Sequence, residues 1–396
     1  MRLRLVLASL AVAVVLVGVA PTARPLSGPS TAVAASSNQQ GGSTDDARRS
    51  SSKGKQSSTS TLRRSTTPPK GLQDMAMSLS DDPRVRDDFW VAVERARVTR
   101  IRILVNWYGS AVRPDPVVLD RVRRAMREGL DHGARTIVGI YAPIANPTNG
   151  DIKVTSRLVS RFRRFTKALA KGVEDLRPYA YLTWNEPNYW TMWPAKHPRR
   201  WVTMSNAGYR GFKAGDRRTQ VLVGETAPYS RSRKGQDPGL FMRRALCLTS
   251  GYRSRTPSRS CRKRLLGDGI GIHAHDFVHN PRYRRRPADA WTIGNLAKVR
   301  RQLGRMADAG RISRKASRNL HITEFAYRSR GSSRTGDRRQ ATWLRRAWKE
   351  AERHGVRSFF WYQLRDPGAE HTWASGLQSE TGRPVRRVWR TFRYLR

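Results

Sequence analysis

From residue 74 onward the chain repeats one pattern: a short β-branched or apolar run, a polar or Gly/Pro-containing loop, then a longer stretch with apolar residues at i, i+3 and i+4 and arginine elsewhere. The first kind of segment reads as strand, the second as amphipathic helix. Apolar runs recur at 75–79, 100–106, 136–141, 180–184, 220–224, 269–274, 320–325 and 358–363, eight in all, with helical stretches such as 117–130, 156–173, 199–213, 292–309 and 338–354 between them. Gly133 and Gly355 stand where helices should stop, just ahead of the next strand. Strict alternation predicts parallel strands joined by crossovers, and eight such units predict an α/β fold of the (β/α)8 TIM barrel type. A doubly wound open sheet is the rival arrangement. It is disfavoured because no Gly-x-Gly-x-x-Gly follows the first run and because polar residues collect at the C-terminal ends of the runs.

The N-terminus has a different character. Met1-Arg2-Leu3-Arg4 precedes an apolar segment over 5–20, with Gly18-Val19-Ala20 and Ala32-Val33-Ala34 as small-x-small cleavage sites, so residues 1–35 read as a signal peptide. An uncleaved membrane anchor is the alternative, although the segment is slightly shorter than the ~20 residues a span needs. Residues 36–73 are rich in Ser, Thr and Arg and read as a disordered tether, which leaves 74–396 for the barrel. The expected location is therefore secreted or extracytoplasmic, with membrane contact only through an uncleaved leader. Two cysteines are too few for a disulfide scaffold, but in an exported protein Cys247 and Cys261 can close a short basic loop.

Charge adds a question about partners. The 396 residues carry 77 Lys+Arg against 30 Asp+Glu, a net +47. Ten of those cations and two of those anions lie before residue 71, a net +8, so +39 belongs to the folded part. Such a surface attracts polyanions, including cell-envelope polymer and, non-specifically, nucleic acid. Arginines also fall in loops expected to rim one face of the barrel: Arg231, Arg233, Arg282, Arg284, Arg285, Arg286, Arg328, Arg330 and Arg334. An acidic glycan would suit such a rim. Charge alone identifies no reaction.

The polar residues at the strand ends do point to a reaction. They include Trp107, Tyr141, Asn185, Glu186, Glu225, His273, His275, Glu324 and Trp361. In a barrel all those ends open on one face, where active sites are built. The fourth and seventh runs each deliver one glutamate, Glu186 and Glu324, from an apolar strand. Burying a carboxylate is costly, so two at matching heights imply that their charge is used. Glycoside hydrolysis needs such a pair, one group to protonate the leaving oxygen and one to attack or to activate water. Aromatic rings at strand ends, Trp107, Trp190, Trp193, Trp361 and Trp373, offer platforms for apolar sugar faces. Glu225 adds a third carboxylate that either binds substrate or pairs with an arginine. No His/Asp cluster has metal-ligand spacing, and neither a metal nor another cofactor is expected.

Trp184-Asn185-Glu186-Pro187-Asn188 resembles the strand-four signature of clan A retaining glycoside hydrolases, especially family 39 and more distantly family 5, and Ile322-Thr323-Glu324-Phe325 is similar to their strand-seven segment. The resemblance covers roughly 74–396. It implies Glu186 as general acid/base with a pKa raised by an apolar surround and the second carboxylate, Glu324 as nucleophile, and Asn185 on the sugar 2-hydroxyl. It also implies Arg102 as the arginine that bonds the nucleophile, His273 or His275, with His275 slightly favoured, as the side chain that orients it, and Trp361 as a stacking residue. Tyr141 stands where family 5 relatives often carry histidine. The expected protein is a monomeric O-glycosyl hydrolase acting on a poly- or oligosaccharide. The competing reading is an inactive cationic barrel that binds anionic wall polymer or extracellular nucleic acid.

Overall fold

The structure is a computed structural model that describes residues 67–396 except 144–152, 195–196, 231–234, 256–260, 262, 332, 370, 372 and 384. The expected signal peptide and most of the expected tether, with Arg231 and Arg233, lie outside the described residues. Eight parallel strands, β1 (Lys70–Gln73), β2 (Arg100–Asn106), β3 (Arg135–Tyr141), β4 (Ala180–Leu182), β5 (Gln220–Thr226), β6 (Gly269–His273), β7 (Leu320–Phe325) and β8 (Phe359–Tyr362), follow one another round a closed barrel. β1 pairs with both β2 and β8, which closes the ring.

Local chemistry fixes the helix ends. The helix Pro116–Asp131 begins on Asp115, whose carboxylate accepts from Val117 and Val118 N–H, with proline at its first position. Gly133 and Gly355, at φ +70° and +58°, turn the chain out of two helices into the next segment. The largest buried cluster, which includes Trp90, Trp107, Trp184 and Trp348, packs strands against helices. A smaller one, Ile137, Ala180, Leu182, Leu222 and Phe360, fills the barrel interior. Gly71 makes room for it, since a Cβ there would lie 2.4 Å from the Phe360 ring.

The first strand corrects the sequence reading. Residues 75–79 were expected to be strand, but Met75–Ser78 is a helical turn capped by Asp74, whose carboxylate accepts from Met77 N–H at 3.2 Å. The strand is Lys70–Gln73, inside the segment 36–73 read as tether. Its two polar ends conceal it. Buried Lys70 donates to the carbonyls of Phe392 and Arg393 at 3.3 and 3.0 Å, and buried Gln73 reaches Arg102. The barrel thus begins by Lys70 rather than at 74.

Candidate active site

Arg102, expected from β2, stands completely buried at the centre of the barrel mouth. A guanidinium has a fixed fork of donors, and each arm is shared. Nη1 donates to Gln73 Oε1 and Glu324 Oε1, both at 2.5 Å. Nη2 donates to Asn185 Oδ1 at 2.9 Å and Glu225 Oε2 at 2.8 Å. Four strand ends therefore converge on one cation. The third carboxylate of the sequence, Glu225, pairs with this arginine: it is buried, and its Oε1 accepts from Thr323 Oγ1 at 2.7 Å.

His273, also fully buried, completes the cluster from β6. Its Nδ1 lies 2.8 Å from Glu186 Oε1 and 3.5 Å from Glu324 Oε2, and its Nε2 lies 3.4 Å from Glu225 Oε2. Burial works to lower its pKa, but Glu324, Glu186 and Glu225 outweigh that effect and raise it to about 10. His275 approaches Glu324 Oε2 at 3.7 Å through Nε2. Its Nδ1 accepts the Ala326 N–H at 3.0 Å, which places the ring proton on Nε2, facing the carboxylate. Both sequence candidates flank Glu324, with His273 the nearer. Burial pushes the Glu324 carboxyl up, yet His273, Arg102 and His275 together hold it well below the usual carboxylate range.

Glu186 sits beside His273. Its backbone is left-handed, φ +43°, and its N–H donates to Glu225 O at 2.8 Å, where φ is +48°. Two adjacent non-glycine residues in this region are uncommon, and such strain persists only where the surroundings impose it. Asn188 supplies part of that restraint: its side chain donates to Ala227 O and Gln236 O and accepts from Ala227 N–H. Asn185 gives its oxygen to Arg102, which turns the amide nitrogen away from that partner.

One oxygen of Glu186, one of Glu324 and a ring nitrogen of His273 lie within 4.8 Å of one another, a spacing that in itself also suits a cation.

The aromatic expectations are partly overturned. Trp361 is fully buried, donates to Ser375 O at 2.9 Å and packs on Phe325 on the helix side of the sheet. The register explains it: Gln73, which points inward to Arg102, pairs with Tyr362, so Tyr362 faces the mouth and Trp361 faces outward. Trp107 is likewise core, packed on Phe162 and Trp184, and Trp193 packs on Trp184. Around Glu324 the half-buried rings are Trp373, which contacts His275, Phe277 and Tyr362, and Tyr362 itself. Tyr141 lines the mouth with Leu104 and Met192, and burial and nearby Glu186 push its hydroxyl pKa up.

Sequence reasoning missed Gln73, Thr323 and Tyr362. A glutamine ending an otherwise buried run and a tyrosine alternating with an outward tryptophan were the available signals. Of the rim arginines, Arg285 pairs with buried Asp276 and Arg330 braces the carbonyls of Pro367 and Gly368, while Arg282, Arg284, Arg286 and Arg334 are exposed. Cys247 and Cys261 form a disulfide.

No protein-family model matches the chain, and no curated protein does. Solved structures do. A family 39 glycoside hydrolase from Bacteroides cellulosilyticus WH2 superposes with TM-score 0.59 at 17% identity, over 83% of this chain and 63% of that one. A monomeric beta-xylosidase from Caulobacter crescentus CB15 gives 0.55 at 15% identity, over 84% and 69%. A beta-glucosidase from Thermotoga maritima in complex with castanospermine gives 0.54 at 15%, over 83% and 96%. The chain spans slightly less than two thirds of the family 39 structure. At these identities what is shared with the three is the fold, a closed eight-stranded barrel wrapped by helices, and it agrees with the resemblance carried by the β4 and β7 strings.

Proposed function

We propose that the chain is a secreted or envelope-tethered O-glycosyl hydrolase that cleaves a poly- or oligosaccharide with retention of anomeric configuration. The observation that carries this reading is the pairing of Glu186 and Glu324 across His273, with an oxygen of each within 4.8 Å of the other. Retaining enzymes hold their carboxyl groups about 5–5.5 Å apart and inverting enzymes hold them roughly 6.5–9.5 Å apart, so the close pair favours retention.

Glu324, fixed by Arg102 and kept ionised, attacks the anomeric carbon as the bond to the leaving oxygen breaks. Glu186 gives that oxygen its proton. Water then attacks the same carbon, Glu186 takes the water's proton, and the bond to Glu324 breaks. Asn185, positioned by Arg102, serves the sugar hydroxyl next to the reacting carbon. The net +39 on residues 71–396 supports an acidic glycan or an anionic envelope as the setting.

The test uses a panel of nitrophenyl glycosides and of neutral and uronate-bearing polysaccharides at two salt concentrations. Hydrolysis should collapse in Glu186→Gln and Glu324→Gln, and proton NMR should show the retained anomer first. Hydrolysis surviving both changes, or inversion, overturns the mechanism. Salt-sensitive polyanion binding without hydrolysis of any member would instead favour the inactive cationic barrel.

A further inference from the structure

The function proposed above needs two carboxylates, yet three lie in the cluster. The third, Glu225, is fully buried behind the other two, and the fold is shaped to admit it. β6 has glycine at 271, where a Cβ would fall 1.6 Å from Glu225 Oε1. β5 bulges between Gly224 and Thr226, with Gly224 at φ +97° and Glu225 at +48°. A carboxylate is expensive to bury, so a site cut to its shape calls for a reason.

Counting charges supplies the reason. With Glu186 protonated, as the first step requires, Arg102 and His273 contribute two positive charges and Glu324 one negative. Glu225 is the anion that brings the cluster to zero. After the first step Glu324 is an ester and Glu186 is ionised, so the sum is again zero. Without Glu225 the buried cluster would carry one uncompensated positive charge in both states.

We infer that Glu225 is a positioning residue that keeps Arg102 and His273 both cationic against the nucleophile and so sets the pH range over which the site keeps its charge. This rests on the hydrolase reading for its purpose, although the charge relationship stands independently. Its route is geometric: Glu225 touches Arg102 Nη2 at 2.8 Å and His273 Nε2 at 3.4 Å, and those two side chains between them reach Glu186, Glu324 and Asn185. The groups facing His273 are Glu186 from the β4 end, Glu225 from β5, Glu324 from β7 and Arg102 Nη2, at 3.4 Å, from β2. His275 lies beyond it with ring centroids 6.3 Å apart. The phenols that interact with these carboxylates include Tyr141, Tyr189 and Tyr362, and burial pushes the pKa of each up.

The test is an NMR titration of the imidazoles in histidine-labelled full chain, with His273 assigned among the eight histidines by the His273→Gln spectrum. Glu225→Gln should lower the His273 midpoint by at least about one unit, an equivalent of tenfold in its proton affinity. Glu225→Asp should restore part of it. In kcat/KM the same change should move the alkaline limb toward neutrality. An unchanged midpoint in folded Glu225→Gln overturns the inference. Should that variant not fold, Glu225→Asp, which keeps the carboxylate but draws it back from His273 Nε2, should lower the midpoint less and in the same direction; no movement there also overturns it. The midpoint is read without substrate, so failure of the hydrolase reading and failure of this one remain distinct.

Discussion

Gly271 and Glu225 occupy one volume: a Cβ on the glycine would lie 1.6 Å from the glutamate Oε1 and 2.8 Å from its carboxyl carbon. Neither residue's role is visible without the other, because β5 and β6 bring them together from 46 positions apart only once paired. Gly271→Ala should therefore destabilise the protein by about 1–3 kcal/mol, the range for overpacking a filled interior. Urea unfolding checks it. In a Glu225→Ala background, where the space is vacated, the same alanine should cost clearly less, and equal costs in both backgrounds would show that the collision is not what matters.

The tryptophans separate core from mouth. Trp361→Ala removes a fully buried indole with a hydrogen bond to Ser375 and should cost about 3–5 kcal/mol. Trp373→Ala removes a half-buried ring beside His275 and should mainly raise KM, with kcat little changed, because a platform binds ground state and transition state alike. Kinetics and thermal unfolding on the same pair of variants decide the assignment. A stable Trp361→Ala with elevated KM would return that residue to the mouth.

These cases show why the sequence was readable in part. Periodicity revealed seven of the eight strands because their cores are apolar and their faces are set by burial. β1 escaped because Lys70 and Gln73 are buried on partners far along the chain, and because the alternating apolar Met75, Met77 and Leu79 imitate a strand where Asp74 starts a helical turn. Glu186 and Glu324 were legible since carboxylates in apolar runs need a use, whereas Asn185 and Arg102 were picked out only through the family resemblance. Trp361 was misplaced by a one-residue question of facing, which composition cannot answer and register does. Thr323 and Gly271 matter only through Glu225, so no local pattern marks them.

The Cys247–Cys261 bridge closes a 14-residue separation carrying several arginines. Removing it frees that loop in the unfolded chain, an entropic loss of ~3 kcal/mol on the loop-closure model. Cys247→Ser with Cys261→Ser should lower the thermal midpoint, and reductant should lower the wild type to match while leaving the double variant unmoved. A reductant effect persisting in the double variant would assign it to something other than the bridge.

His273 predicts the pH dependence of stability. Its folded pKa, about 10, lies above its ordinary 6.5, so its contribution is fully present below about pH 6.5 and is lost as pH rises through about 10. Glu324 acts in the opposite direction: depressed in the folded state, it contributes above the ordinary carboxylate range and loses that contribution as the solution becomes strongly acidic. The His273 contribution should therefore decline on the alkaline side from near-neutral pH, opposed above about pH 8 by buried Lys70, whose pKa burial lowers to about 8. Denaturant midpoints measured from about pH 6.5 to about 8 should fall in the wild type and much less in His273→Gln, which keeps a hydrogen-bonding side chain but cannot bind the proton. Parallel slopes in the two proteins would mean that His273 is not charged in the folded state, and the charge balance of the whole cluster would have to be recounted.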